Sequence, residues 1–374
     1  MNADAITGFG LDNLPYGVDD SGRVVVALGD EVIDLASAEG LDVDPEVWTS
    51  GSLNAFMALG PDAWADTRTR LQSVATRQPA HARRPRSEVR LVLPWEIGDY
   101  TDFYASREHA EAMGRMLRPG DAPLPEAWLH MPLGYHGRAG TVVVSGSRVW
   151  RPAGLAPGPD GPQFGPSARL DVEVELGFVV GTTVPRGHTV PARAADHHIF
   201  GVVLVNDWSA RDIQSLEYRP LGPFLGKSFA TSVSPWVVPL AAFDPWRVEG
   251  PVQTPEPADY LKTGEPRGLN AELSLSVNGA VISTMSSGGL YWSMAQQLAH
   301  LTVNGAGVRA GDLFASGTIS GPLAGSEGSL MEKYRGEAWL ADGDTITITG
   351  WCGERSRGPW ISLGEVVGTV VPSI

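Results

Sequence analysis

A chain of 374 residues with 43% hydrophobic content exceeds one ordinary domain and can bury sizeable cores. Its net charge of −15 disfavours nucleic acid and anionic membrane as partners. The single cysteine, Cys352, excludes an intrachain disulfide framework and a cysteine-based zinc cluster.

The opening Met1-Asn-Ala-Asp-Ala-Ile6 lacks the basic and apolar regions of a signal peptide, and no stretch approaches membrane-spanning length. A cytoplasmic protein is expected. Abundant glycine and proline between short apolar runs point to a β-rich, loop-rich architecture. Arg23 to Leu28 and Glu31 to Leu35 read as a hairpin turning at Gly29-Asp30. Helices are expected over Ser52 to Leu59 and Pro61 to Ala75, with Gly60 as the break. The polar, proline-broken run Arg77 to Arg86 reads as a linker, a basic patch being the weaker alternative. It sets the boundary between a domain over 1–87 and one over 88–374, where strands dominate.

Ser106 to Leu117 reads as a helix with Ser106 near its N-cap and His109 on a face with Met113 and Met116. Such a histidine is ordinarily a satisfied core residue, but the nearby Asp102 and Tyr104 add weight to a functional role. Gly154 to Pro166 is a loop, ordered only if packed. In the strand Leu170 to Val180, alternation puts Asp171, Glu173 and Glu175 on one side. Hydration on a surface strand would explain them; so would a hard divalent cation, with Asp102 and Asp207 as further ligands. An apolar strand from Ile199 to Val205 leads into Asn206 to Tyr218, read as a helix. Asp207, Arg211, Gln214 and Tyr218 then share one face. A solvated outer face would also be polar, but a strand end entering a helix is where side chains meet ligands. Lys227 lies in the constrained turn Gly222 to Phe229, where a solvated lysine is the plain alternative. Leu290 to Val303 is a helix with Leu290, Met294, Leu298 and Leu301 facing the core, stopped by Gly305. Gly317 to Pro322 is a tight turn.

Five strings carry more than any single residue. Tyr100-Thr-Asp-Phe-Tyr104 with His109, Pro132-Leu-Gly-Tyr-His-Gly-Arg138, Asn206-Asp-Trp-Ser-Ala-Arg-Asp-Ile-Gln214, Pro220-Leu-Gly-Pro-Phe-Leu-Gly-Lys227 and Ala315-Ser-Gly-Thr-Ile-Ser-Gly-Pro322 together resemble the fumarylacetoacetate hydrolase family. Their order and spacing match from about Leu91 to the C-terminus. The resemblance is closer to the family's full-length members than to its shorter relatives. It implies a mainly β fold: a small N-terminal SH3-like barrel, then a large C-terminal β-sandwich or roll domain with a few helices. It implies metal-dependent hydrolysis of the carbon–carbon bond of 4-fumarylacetoacetate to fumarate and acetoacetate, the last step of tyrosine and phenylalanine catabolism.

By the same resemblance, Asp102, Glu173, Glu175 and Asp207 fall on cation ligands, and Lys227 and Thr231 fall near a second cation position. His109 falls on the base and Glu332 on the acid that orients it; Lys227, Arg211 and Gln214 serve the reaction centre. Tyr104, Arg118, Tyr135, Gln214, Tyr218 and Thr318 contact substrate. The implied cofactor is Ca2+ or Mg2+, the partner a dicarboxylate diketone, and the assembly a homodimer. A relative acting on acylpyruvates or decarboxylating oxaloacetate is the alternative. A calcium-dependent, non-enzymatic binding protein is the second, though it leaves His109, Lys227 and Arg211 without a role.

Overall fold

The computed structural model describes residues 8–264, 266–356 and 358–374. The expected hairpin forms as Val24–Leu28 and Glu31–Asp34, antiparallel with Leu28 opposite Glu31. Tyr16–Val18 pairs on one side and Arg83–Pro85 on the other, giving a four-stranded sheet. Hydrogen bonding does not close that sheet into the expected barrel: its two outer strands are not paired to each other. The run read as a linker is therefore part of the fold. It supplies the edge strand Arg83–Pro85, where a proline is tolerated because its missing N–H faces no neighbour. The helices appear as Asn54–Met57 and Pro61–Val74, with Gly60 at φ +88° before the Pro61 start.

The larger part is built on an eight-stranded sheet. Its path runs Gly134–His136, Tyr100–Phe103, Leu313–Ala315, Val174–Val180, Ile199–Asp207, Thr231–Val233, Val142–Val144, with Val238–Pro239 also paired to Ile199–Asp207. A five-stranded sheet runs Ala280–Ser286, Glu272–Val277, Thr345–Gly353, Trp360–Val371, Arg148–Trp150. The two meet closely at Gly350, where an added Cβ would lie 2.7 Å from a Leu204 methyl and 2.9 Å from a Leu273 methyl. Leu204 and Val202 join the core shared with Leu273, Leu275, Ile346 and Ile348.

The opposite face of the eight-stranded sheet packs on the N-terminal part. Val203, Val205, Val179 and Val233 share a core with Tyr16, Trp48 and Phe56. The strand Ile199–Asp207 is thus buried on both faces, which explains its nearly unbroken apolar run. Val203, Val205 and Asp207 follow at period two, so the apolar stripe facing the N-terminal part ends in a carboxylate. Glu175 is registered opposite Val205, and Asp102 opposite Ala315.

Two further expectations are corrected. The segment from Gly154 to Pro166 is not a loop throughout; Ala153–Ala156 and Gln163–Pro166 form an antiparallel pair. The late helix is Met294–Thr302, starting at a capping box of Ser293 and Gln296. Leu290 precedes it as the C-cap of a short 3-10 turn, because that serine and glutamine satisfy the helix's first donors.

Candidate active site

Three strands of the eight-stranded sheet deliver Asp102, Glu175 and Asp207 to one buried point. Their carboxylate oxygens lie within 4.8 Å of one another. Both oxygens of Glu175 and Oδ1 of Asp102 are buried without a hydrogen-bond partner. Burial, reinforced by Asp102, Asp207 and Glu173, pushes Glu175 well above the ordinary carboxylate range. Burial also pushes Asp207 up to about 7, against the pull of Arg138 and Lys227. Carboxylates crowded at such cost, with free oxygens turned inward, suit a hard cation that takes oxygen ligands.

The remaining oxygens are held by cations. Arg138 Nη2 donates to Asp102 Oδ2 and to Asp207 Oδ2, both at 2.8 Å. Tyr135 donates its hydroxyl to Asp102 Oδ2 at 2.9 Å. Lys227 Nζ donates to Asp207 Oδ2 at 2.7 Å and to Glu173 Oε2. Arg211 pairs with Glu173 Oε1 at 2.7 Å and donates through Nε to Asp171 Oδ2 at 2.8 Å. Burial works against the charged form of Glu173, but Arg211 and Lys227 prevail and hold it below the usual range. Burial likewise opposes the Lys227 ammonium, yet Asp207 and Glu173 raise its pKa, so it stays charged. Five carboxylates (Asp102, Asp171, Glu173, Glu175, Asp207) thus face three cations (Arg138, Arg211, Lys227). One divalent ion balances the formal excess.

His109 stands on the helix Arg107–Leu117, whose first turn is capped by Ser106 accepting from the His109 N–H. Its Nδ1 donates to Glu332 Oε2 at 2.7 Å. Glu332 also accepts from Ser320 at 3.0 Å and from Ser329 at 2.9 Å. Burial alone would raise the Glu332 pKa; His109 and the two serines reverse that and hold it ionised. The short helix Leu330–Lys333 is tied back to the cluster, because the Leu330 N–H donates to Asp171 Oδ1 at 2.8 Å. Orientation through Nδ1 leaves the other ring nitrogen of His109 available.

One cavity of about 260 Å³ joins these groups. Asp102, Glu173, Glu175, Arg211 and Lys227 line it on the charged side, and His109, Tyr104, Arg118, Tyr135, Gln214, Tyr218 and Thr318 line the rest. Asp207, Thr231 and Glu332 stand behind that lining, where they touch lining residues or the carboxylate cluster. Asp207 does not come from a helix: it is the last residue of Ile199–Asp207, and the helix is Arg211–Glu217. Arg211 and Gln214 do share a helical phase, and Arg211 Nη1 donates to Gln214 Oε1 at 3.1 Å; Tyr218 follows as the C-cap. Met113 lines the cavity beside His109, while Met116 does not. Sequence reasoning gave no role to Arg138, Ser320 or Ser329. Arg138 was visible only as the end of a motif, since its partners lie 36 and 69 residues away.

The family description "Fumarylacetoacetase N-terminal" matches residues 12–96, and "Fumarylacetoacetate (FAA) hydrolase C-terminal" matches residues 99–371. The fumarylacetoacetase of Caenorhabditis elegans is 43% identical, over 98% of this chain and 97% of that one. The human fumarylacetoacetase is 42% identical over the same shares. Among solved structures, the fumarylacetoacetate hydrolase of Exiguobacterium antarcticum superposes with a TM-score of 0.61 at 19% identity, over 96% of this chain and 99% of that one. The maleylpyruvate hydrolase of Sphingobium sp. SYK-6, solved with manganese(II) and pyruvate, gives 0.59 at 16% identity, over 96% and 100%. The structural likenesses speak to fold, the sequence likenesses to kinship. The chain belongs to the fumarylacetoacetate hydrolase family.

Proposed function

We propose that this protein is a metal-dependent hydrolase of the carbon–carbon bond of 4-fumarylacetoacetate, producing fumarate and acetoacetate in the last step of tyrosine and phenylalanine catabolism. The observation that carries the reading is one cavity shared by the His109–Glu332 pair and the carboxylate cluster, in a chain whose curated relatives are fumarylacetoacetases. Asp102, Glu175 and Asp207 would hold a divalent cation, Ca2+ or Mg2+, with Glu173 as the fourth carboxylate. Thr231 and Lys227 approach from the Asp207 side; as an ammonium, Lys227 orients ligands rather than bonding the ion through nitrogen. When bound, the cation would supply Lewis acidity to the diketone.

The chain's own residues supply the rest. His109, oriented through Nδ1 by Glu332, takes a proton from water at its free ring nitrogen. The hydroxyl oxygen bonds to the carbonyl carbon, and Lys227, Arg211 and the Gln214 amide stabilise the oxyanion. The carbon–carbon bond then breaks, its electron pair leaves with the departing enolate carbon, and the His109 imidazolium returns the proton. Arg118 and the phenols of Tyr104 and Tyr218 hold the substrate's carboxylates. The buried, unpartnered Thr318 hydroxyl is a ready donor or acceptor for them. Tyr135 acts on the same pocket by fixing Asp102.

The wider architecture is proposed to be an SH3-like small domain on a β-sandwich or roll, assembled as a cytoplasmic homodimer. Leu221 and Phe224, 94% and 68% exposed beside the Lys227 turn, support a covered face there. No helix among the described residues is long and apolar enough to cross a membrane.

The decisive test is fumarylacetoacetate hydrolysis before and after chelation, followed by loss of ultraviolet absorbance, with fumarate and acetoacetate quantified. Activity lost on chelation and restored by Ca2+ or Mg2+ is expected. Turnover of acylpyruvates or oxaloacetate in its place would move the protein to that branch of the superfamily. Absence of metal-dependent turnover of any diketone would favour a binding protein.

A further inference from the structure

Arg138 is a buried arginine for which the proposed reaction has no direct use. Its side chain is 4% exposed. Its guanidinium carbon lies over two rings, 4.7 Å from the Tyr100 centroid and 4.9 Å from that of Tyr135. One nitrogen, Nη2, bridges Asp102 Oδ2 and Asp207 Oδ2 at 2.8 Å each, and Nε reaches Thr231 Oγ1 at 3.4 Å. The backbone is held to place it: Arg138 sits at φ +64°, a left-handed conformation unusual for a side-chain-bearing residue.

The bridge has a consequence for coordination. Asp102 Oδ2 already accepts from Arg138 and Tyr135, and Asp207 Oδ2 from Arg138 and Lys227. Each aspartate keeps Oδ1 clear of these cations: Asp102 Oδ1 has no partner, Asp207 Oδ1 accepts only from Thr231 at 3.5 Å, and Glu175 has both oxygens without a partner. A side chain that occupies one oxygen of two ligands limits the number of donors the ion can gather. It also sets the charge the ion must meet, since without Arg138 the cluster would carry one more negative charge.

We infer that Arg138 is a positioning residue of the cation centre: with Tyr135 and Lys227 it holds Asp102 and Asp207 by one oxygen each, and its charge matches the centre to a divalent rather than a trivalent ion. The inference rests on the reading of this cluster as a cation site. Lysine could keep the charge but not the planar fork over the Tyr100 and Tyr135 rings, and methionine would keep volume but neither charge nor bridge.

The test compares wild type, Arg138→Lys and Arg138→Met for binding of Mg2+, Ca2+ and Tb3+ by calorimetry and terbium luminescence, on protein freed of metal by chelation. Arg138→Met should raise the preference for Tb3+ over Mg2+ by about tenfold to a hundredfold, since one more unit of negative charge acts on the ion at close range. Arg138→Lys should keep the wild-type charge preference. A ratio unchanged within about threefold in Arg138→Met would overturn the inference while leaving the cation site intact. Absence of cation binding to wild type would overturn both. Should the variants fail to fold, the cation-loaded wild-type crystal structure decides. Asp102 and Asp207 each bonding the ion through one oxygen, with Arg138 still on both Oδ2 atoms, supports the inference; a bidentate aspartate or a displaced Arg138 refutes it.

Discussion

Replacing Glu332 by glutamine isolates the part of catalysis that depends on charge behind His109. The Nδ1–Oε2 separation is 2.7 Å, and both side chains are almost fully buried. When the imidazole takes the water proton, a new positive charge forms beside that carboxylate. With charge centres about 4 Å apart and an effective dielectric near 20, their attraction is worth about 4 kcal/mol. Glutamine keeps an acceptor oxygen for Nδ1, so a neutral hydrogen bond worth about 1 kcal/mol survives. The net loss of about 3 kcal/mol corresponds to a fall in kcat of roughly a hundredfold, with KM little changed. The assay is the absorbance decay of fumarylacetoacetate at saturating substrate and metal, alongside His109→Ala and the double variant. The double variant should be little worse than His109→Ala alone, because the two groups act as one unit. A kcat within about threefold of wild type, or a loss seen only in KM, would refute the reasoning. Acid stability gives an independent check. The Glu332 pKa is depressed on folding from its ordinary value of 4.5, so its contribution is present above that pH and is lost as pH falls through the folded value. Glu332→Gln should therefore lose less stability on acidification than wild type.

Other expectations follow from the same geometry. Glu175→Gln should raise the Tm of chelator-treated protein, because it removes a buried carboxyl group that must either carry an unpartnered charge or take up a proton on folding, and should abolish the stabilisation that added Ca2+ or Mg2+ gives wild type; a lower metal-free Tm would count against it. Arg118→Ala should raise KM with kcat nearly intact, since anchoring a remote carboxylate contributes equally to ground and transition states; steady-state kinetics that show the reverse split would place Arg118 at the reaction centre. Gly317→Ala should destabilise the fold by about 1–3 kcal/mol or more. Gly317 sits at φ +72°, and an added Cβ would fall 2.1 Å from the Phe103 carbonyl oxygen. Urea unfolding reads that loss, and displacement of the neighbouring Thr318 should lower turnover with it.

What the sequence disclosed divides along a physical line. Local chemistry was readable: the Gly29-Asp30 hairpin, the Ser106 cap and the Gly60-Pro61 helix start appear as expected, and Glu173 and Glu175 line one cavity, although the strand expected over Leu170 to Val180 is interrupted at Val172-Glu173 into Leu170–Asp171 and Val174–Val180. Long-range pairing was not. Asp207 fits a helical stripe by spacing, with Asn206 opening the same run, but the ladder with Thr231 and Ser232 carries the strand through both, and no local signal reports a partner 24 residues on from Asp207. The Arg83–Pro85 strand hid in a polar, proline-rich run for the same reason, its partner being the strand at Glu31. Residue pattern alone singled out Asp102, His109, Glu173, Glu175, Asp207, Arg211, Gln214, Tyr218 and Lys227, whereas Arg118, Tyr135, Thr231, Thr318 and Glu332 came from motif resemblance. Arg138 escaped because an arginine beside a glycine reads as surface until the two distant aspartates it bridges are known.

The strand that ends at Asp207 has a bearing on how this enzyme could be cut down or rebuilt. The catalytic half cannot simply be trimmed free of residues 8–87. Removing them would lay bare Phe200, Val203, Val205, Val233 and Leu313, an adjoining oily surface with no polar alternation to tolerate water. The small N-terminal part therefore works as the back wall of the active site, although it contributes no side chain to the cavity. A minimal version of this catalyst would need that wall replaced residue by residue, and the aspartate at the strand's end would report, through metal affinity, how well the replacement seals.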